Sequence, residues 1–400
     1  MNNLPLESIR YSIPYICLVL YFILLYFTEY LVKKQDAYLV VNQQIIRLAA
    51  GGGLLLFFGF RGFIGWDWTI YYPTFQSVPS LFSLNEFDFG ETRYEPGFVT
   101  LISFVKLFTH NYHFFIFINT LFDIAVLITL INQFSRISYA LSCLVFIMFG
   151  GYYLEIDLLR NAKSIMLFLL SLKYLKERNI LSYFILNIIG CLFHFSSLLY
   201  LPLYFFLHKQ ISKKIIIPIF IAGALLFLLQ VEYIRPTILK IIPILGEKAT
   251  VAVQKYFSDE LYSSRYGITI GFAERMVTSL LILIYYNKLI KLDRDNILFI
   301  NSFLIYFIFF FYFAEINIIP VRVGGLFSYA YWILYPALFT VIGNKNNKII
   351  FLSFIFAYSL IKITGMSDTI FYKYKTVITG KDNYEKRLKI FESSKNYFLR

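Results

Sequence analysis

Apolar runs separated by short polar breaks repeat along nearly the whole chain: Tyr11 to Val32, Ile45 to Phe60, Phe114 to Phe134, Ile137 to Tyr153, Ala162 to Leu175, Ile215 to Tyr233, Ile268 to Leu289, Ile297 to Ala314, Leu326 to Ile342 and Ile349 to Ile363. A helix of about 20 apolar residues crosses a bilayer, so these runs predict an all-α, polytopic integral membrane protein, with several spans short enough to need tilt or local thinning. Two stretches are less regular. Ile180 to Leu207 is too long for one helix and predicts two short helices meeting at His194; Phe98 to Phe108 is too short to cross.

Charge settles how these pieces thread. If Phe98 to Phe108 is a short re-entrant or interfacial helix and Ile180 to Leu207 a hairpin, the basic loops Lys33-Lys34, Arg136, Lys176 to Arg178, Lys209 to Lys214, Lys288 to Arg294 and Lys345 to Lys348 share one side, which the positive-inside rule makes the cytoplasm. About twelve spans follow, with both ends of the chain outside. The expected organisation is a single transmembrane domain over 1–364, with extracytoplasmic loops at 61–97 and 234–265, and a polar C-terminal tail over 365–400. The first apolar run has no small-residue cleavage site after it and predicts a retained helix.

Composition removes the soluble alternative. Of 400 residues, 58% are hydrophobic and 15% charged, with 45 Phe and 33 Tyr, and the mean hydropathy is +0.65. One aqueous core cannot bury that much apolar surface. The net charge of +13 sits in short loop clusters, so no nucleic-acid partner is expected. Cys17, Cys143 and Cys191 lie inside apolar runs without metal-ligand or redox spacing and predict packed thiols.

The candidate chemistry gathers on the outer side of this threading. Between Arg61 and Gly97 the chain reads R-G-F-I-G-W-D-W-T-I-Y-Y and then R-Y-E-P-G, placing Arg61, Asp67, Arg93 and Glu95 among aromatics at the membrane surface. Ionic groups at such depth are costly and point to function, although an ion pair stapling a loop would use the same residues. Arg160 follows Glu155 and Asp157 at a helix start, Arg275 lies seven residues inside the span that begins at Ile268, and Arg322 opens another span before Gly324 and Gly325. Guanidinium forks suit phosphate. His194, in H-F-S-S-L-L-Y-L-P, is either a structural hydrogen-bonder or an acid–base group. The D-x-D spacing Asp293-Arg294-Asp295 lies in a basic loop on the cytoplasmic side, away from these residues, and no Gly-rich nucleotide loop is present, which turns the expectation from nucleotide sugars to a lipid-linked pyrophosphate.

R-G-F-I-G-W-D-W-T-I-Y-Y, R-Y-E-P-G-F, L-L-R-N-A-K-S-I and H-F-S-S-L-L-Y-L-P-L-Y-F, in that order, resemble the EpsG-like branch of the Wzy-type polysaccharide polymerases, over roughly Tyr11 to Tyr335. The resemblance implies a bacterial cytoplasmic (inner) membrane enzyme of O-antigen, capsule or exopolysaccharide synthesis. It would join undecaprenyl-pyrophosphate-linked repeat units at the extracytoplasmic face, on a fold like that of the type C membrane glycosyltransferases, without metal or cofactor. Its partners would be lipid-linked glycans, the lipid bilayer and a chain-length regulator protein. On that basis Arg61, Arg93, Arg160, Arg275 and Arg322 are the candidate pyrophosphate ligands, and Asp67, Glu95 and His194 the candidate bases, Asp67 first because two tryptophans flank it beside Arg61. A lipid-linked glycan flippase, a glycan acyltransferase and a polyprenyl-phosphate-sugar transferase are the competing functions. A flippase needs charge through both leaflets, and an acyltransferase a close His and acid within the membrane; the single-sugar transferase shares the outer arginines and acids.

Overall fold

In the computed structural model the described residues are 5–34, 39–89, 94–135, 137–258, 264–380 and 383–398. They are helical almost throughout, and the only β pairing among them is two isolated bridges, Glu7 with Thr369 and Arg61 with Thr376. Four helical stretches among them are long and apolar enough to cross a membrane: Ile9–Lys34, Tyr112–Ser135, Tyr139–Ile156 and Lys345–Ser367. The chain forms two compact units, 1–205 with 344–400, and 206–343.

The first unit begins with α1 (Ile9–Lys34), α2 (Leu39–Leu54), α3 (Trp68–Ser77), α4 (Pro96–Val105), α5 (Tyr112–Leu130), α6 (Tyr139–Phe146), α7 (Tyr152–Ile156), α8 (Leu159–Lys176) and α9 (Ile180–Cys191). Side chains in the polar breaks start several of these helices by accepting otherwise unpaired N–H groups. Asn111 caps α5, Ser138 caps α6 and Asn179 caps α9. Glu29, buried in α1, adds to the cap of α6 by accepting from Ser138 Oγ at 2.6 Å and from the Tyr139 and Ala140 amides at 3.1 Å each. A carboxylate there also meets the positive end of the helix dipole.

Helix α1 therefore ties opposite ends of the unit. Its start is bound by Ser8 N–H to the Asp368 carbonyl at 2.7 Å, and its end by Lys33 to the Ile137 carbonyl. Helix α4 does not run between those ends. Ten residues rise only about 15 Å; its start is held by Gly97 N–H on the Leu192 carbonyl at 2.8 Å, and after it Tyr112 stacks on Phe63 at 5.7 Å. The 180–207 stretch consists of α9 and a tighter helix, Phe195–Phe205, which break at His194 and are tied by Tyr183 Oη on the Tyr200 carbonyl at 2.6 Å.

The stretch 365–400, polar in sequence, folds onto this unit through its described residues. Arg387 is buried and donates to the carbonyls of Phe63 at 2.8 Å, Phe371 at 3.1 Å and Lys373 at 3.0 Å. Tyr384, Leu388 and Phe391 of the helix Tyr384–Phe398 pack on a core of Phe63, Trp68, Phe75, Phe98 and Phe115.

The second unit holds the helices Lys213–Leu228, Ile234–Ile241, Glu247–Ser258, Ile270–Leu292, Asn296–Tyr312 and Ala330–Val341. Its aromatic core includes Phe220, Phe227, Phe307 and Phe311. Glu315 caps the helix Ile234–Ile241 by accepting from the amides of Tyr233, Ile234 and Arg235 at 2.9, 2.7 and 2.9 Å.

Candidate functional site

Residues 61–67 turn from the end of the second helical segment into α3, and the C-terminal stretch fixes that turn. Gly62 N–H bonds the Lys375 carbonyl at 2.9 Å, Gly65 N–H the Phe371 carbonyl at 3.0 Å, and Val377 N–H the Phe60 carbonyl at 2.9 Å. Gly65 has φ +87°, and a Cβ there would lie 2.2 Å from Asp157 Oδ1, so glycine is required both for the backbone and for the approach. Asp157 then receives Trp66 N–H at 2.6 Å, Asp67 N–H at 3.3 Å and the Tyr372 hydroxyl at 2.8 Å. Burial pushes the Asp157 carboxyl above its usual range, opposed by these three donors and by Arg61.

Three residues after Asp157, at the start of α8, Arg160 faces a second set of groups. Its guanidinium pairs with Glu95 at 2.5 Å and lies 4.4 Å over the Tyr94 ring; Tyr71 of α3 completes the set with a side-chain hydrogen bond. Glu95 leads into α4 and also accepts Phe195 N–H at 3.4 Å. That bond brings the His194 segment to the same place. His194 Nδ1 accepts Ser196 N–H at 3.2 Å and lies 2.7 Å from Ser196 Oγ. Asp67, half-buried before α3, acts electrostatically on Tyr71, as Arg160 does from its other side. Asp67, Glu95, Arg160 and His194, four positions singled out by sequence, thus meet at one end of the first unit.

Arg61 is turned inward. It is buried, donates to the Phe58 carbonyl at 2.5 Å and to Thr120 Oγ1 at 3.3 Å, and lies in the field of Glu155 and Asp157. Beneath it, Lys163 of α8 pairs with Asp123 of α5, both almost fully buried. Arg61 therefore belongs to a buried charged frame with Lys163 and Asp123. Arg93 lies outside the described residues.

Arg275 and Arg322 belong to the second unit. Arg275 is buried 3.6 Å over Phe310 and donates to Tyr306 Oη at 3.1 Å; its neighbour Glu274 accepts from Thr278 at 2.7 Å and Tyr335 at 2.8 Å. These contacts give Arg275 a framework position. Arg322 is exposed.

Asp157, Tyr71, Tyr94 and Tyr372 are the parts that the sequence hides. Asp157 carries one local signal, its place three residues before Arg160 at a helix start. Nothing local marks the tyrosines in a chain with 33 of them.

Among the described residues, a helical structure with stretches of membrane-crossing length and an arginine–carboxylate–tyrosine cluster where α4 and α8 begin define a protein of the helical membrane class. The chain belongs to the EpsG family, which matches it over residues 44–376. Membership in that family points to polysaccharide polymerisation. No curated protein and no solved structure matches the chain.

Proposed function

We propose that the chain polymerises undecaprenyl-pyrophosphate-linked oligosaccharide repeat units at the extracytoplasmic face of the bacterial cytoplasmic membrane. The observation that carries this is the Arg160 cluster: a guanidinium held in one orientation by Glu95, Tyr94 and Tyr71 beside the His194 segment. A fixed guanidinium suits a pyrophosphate, whose oxygens it meets through two parallel bonds.

Asp67 takes the proton from the acceptor sugar hydroxyl, and the freed oxygen attacks the anomeric carbon of the donor. The bond from that carbon to the pyrophosphate oxygen breaks, and its electron pair leaves with the lipid pyrophosphate. Arg160 stabilises the departing charge, an effect of about 10²–10³ in turnover for one well-placed donor. Glu95 accepts from both Arg160 and Phe195 N–H, so it positions the arginine. In the neutral tautomer whose Nδ1 accepts Ser196 N–H, the His194 proton is on Nε2, where it can be donated to a substrate oxygen. Lys163, Asp123 and Arg61 hold α5, α8 and the 61–67 turn in register below.

Deleting the gene and examining surface glycan on a gel tests this reading. A polymerase defect leaves single repeat units on the lipid carrier. Long chains that lack one sugar would instead assign a single-sugar transferase and overturn the proposal.

A further inference from the structure

On the same unit, a second site is formed where the chain's two terminal regions meet. The start of α1 and the segment after Tyr372 enclose a cavity of about 410 Å³, with Arg10 and Lys373 beside Ser8, Tyr11 and Tyr374. Its lining among the described residues contains two cations and no carboxylate. Tyr374, with Thr376 and Ile378, is also one wall of an adjoining groove of about 500 Å³, whose other walls are mostly apolar residues of α1, of α2 and of its continuation Leu55–Gly59, among them Leu18, Tyr21, Leu56 and Phe57.

The depth of this groove can be read along α1. Arg10 to Tyr21 spans eleven residues, a rise of about 16 Å, or roughly half of a 30 Å hydrocarbon core. A cationic cavity that shares Tyr374 with a mostly apolar groove, the two together reaching about one leaflet along α1, matches a lipid with an anionic headgroup. The surroundings have the same sign: burial lowers the Lys373 ammonium pKa, and Arg387, Lys375 and Lys386 lower it further. An anion placed between Arg10 and Lys373 relieves that repulsion. Glu7 and Asp368 are nearby but outside the lining; Glu7 bridges to Thr369, and the Asp368 carbonyl accepts Ser8 N–H.

We propose that this cavity and groove hold one anionic phospholipid of the bilayer, its phosphate against Arg10 and Lys373 and one acyl chain along Tyr21, Leu56 and Phe57. The proposal rests on the membrane placement of the chain and is independent of the polymerase reading. It also gives the lipid a consequence. Tyr374, between head and chain, is two residues from Tyr372, whose hydroxyl holds Asp157 under the 65–67 turn, so the lipid braces the segment that supports the candidate site.

The test is native mass spectrometry of the full-length protein in nonionic detergent, titrated separately with phosphatidylglycerol, phosphatidylcholine, polyprenyl phosphate and inorganic phosphate. Wild type should retain phosphatidylglycerol over phosphatidylcholine by about thirtyfold, the scale of two basic residues near an anionic lipid. The double substitution Arg10→Ala with Lys373→Ala should remove that preference, and the charge-conserving pair Arg10→Lys with Lys373→Arg should keep it. Gly52→Leu, which fills the groove without touching either cation, should weaken phosphatidylglycerol retention. Equal retention of the two phospholipids, or a preference that survives the double alanine substitution in a protein of unchanged melting temperature, overturns the proposal. Displacement of phosphatidylglycerol by equimolar polyprenyl phosphate, or by inorganic phosphate alone, overturns it as well, because the occupant would then be an isoprenoid lipid or a free anion.

Discussion

Asp157 shows how one buried carboxylate organises a neighbourhood. It accepts two backbone amides and a tyrosine hydroxyl, and burial lifts its pKa above the usual carboxylate range. A folded-state pKa above the unfolded value means that the folded chain keeps the proton longer. The group's contribution to stability is then fullest below its unfolded pKa of about 3.9 and is lost as pH rises through the raised value. The Asp157→Asn variant cannot ionise, so the melting temperature of wild type should fall relative to the variant as pH is raised from about 4. Parallel curves would remove the argument. At this scale the charges that stand out in an apolar chain include Asp67, Glu95, Arg160 and His194, which the fold brings into one neighbourhood of the first unit. Sequence could not tell a half-buried arginine from a fully buried one. Arg61 and Arg160 look alike in sequence, and only the Phe58 carbonyl, Thr120 and the buried Lys163–Asp123 pair reveal Arg61 as part of the frame.

At the scale of elements, apolar run length and capping residues carried most of the information. Ser138, Asn179, Ser212 and Asn344 each accept backbone amides at the start of the helix that follows a polar break. The break at His194 was legible for the same reason, since a 28-residue apolar stretch exceeds one crossing. The C-terminal segment was not. Its composition is polar, and its pairing with residues 60–65 ends on backbone carbonyls and amides of that turn, even where Arg387 and Thr376 donate from side chains, so residues 60–65 carry no side-chain signature of it. Gly65 is where the two meet. Gly65→Ala meets both a positive φ and a 2.2 Å approach to Asp157, at a cost on the order of 1–3 kcal/mol from the backbone alone. Gly365→Ala, in a helix with nothing within 4 Å of the added carbon, should leave stability unchanged or raise it slightly. Thermal unfolding in detergent separates the two; equal melting temperatures would mean that the 65–67 turn is not built on Asp157.

For the whole molecule, hydropathy and charge together made a membrane protein of the chain before any coordinates, and the EpsG match over residues 44–376 spans the motifs between Arg61 and Phe205. The two-unit division was invisible, because residues 344–400 return to the first unit across 138 intervening residues and no linker composition marks the crossing. The central claim is that the Arg160 cluster of the first unit holds the pyrophosphate of a lipid-linked glycan during transfer. Its most direct measurement uses purified protein in proteoliposomes with an undecaprenyl-pyrophosphate-linked repeat unit, following product length on a gel. Wild type should give a ladder of growing chains. Arg160→Ala, at equal incorporation and melting temperature, should slow the ladder by about 10²–10³, and Arg160→Lys should restore only part of the rate, because an ammonium lacks the planar fork. A ladder that grows at the wild-type rate with Arg160→Ala would contradict the account.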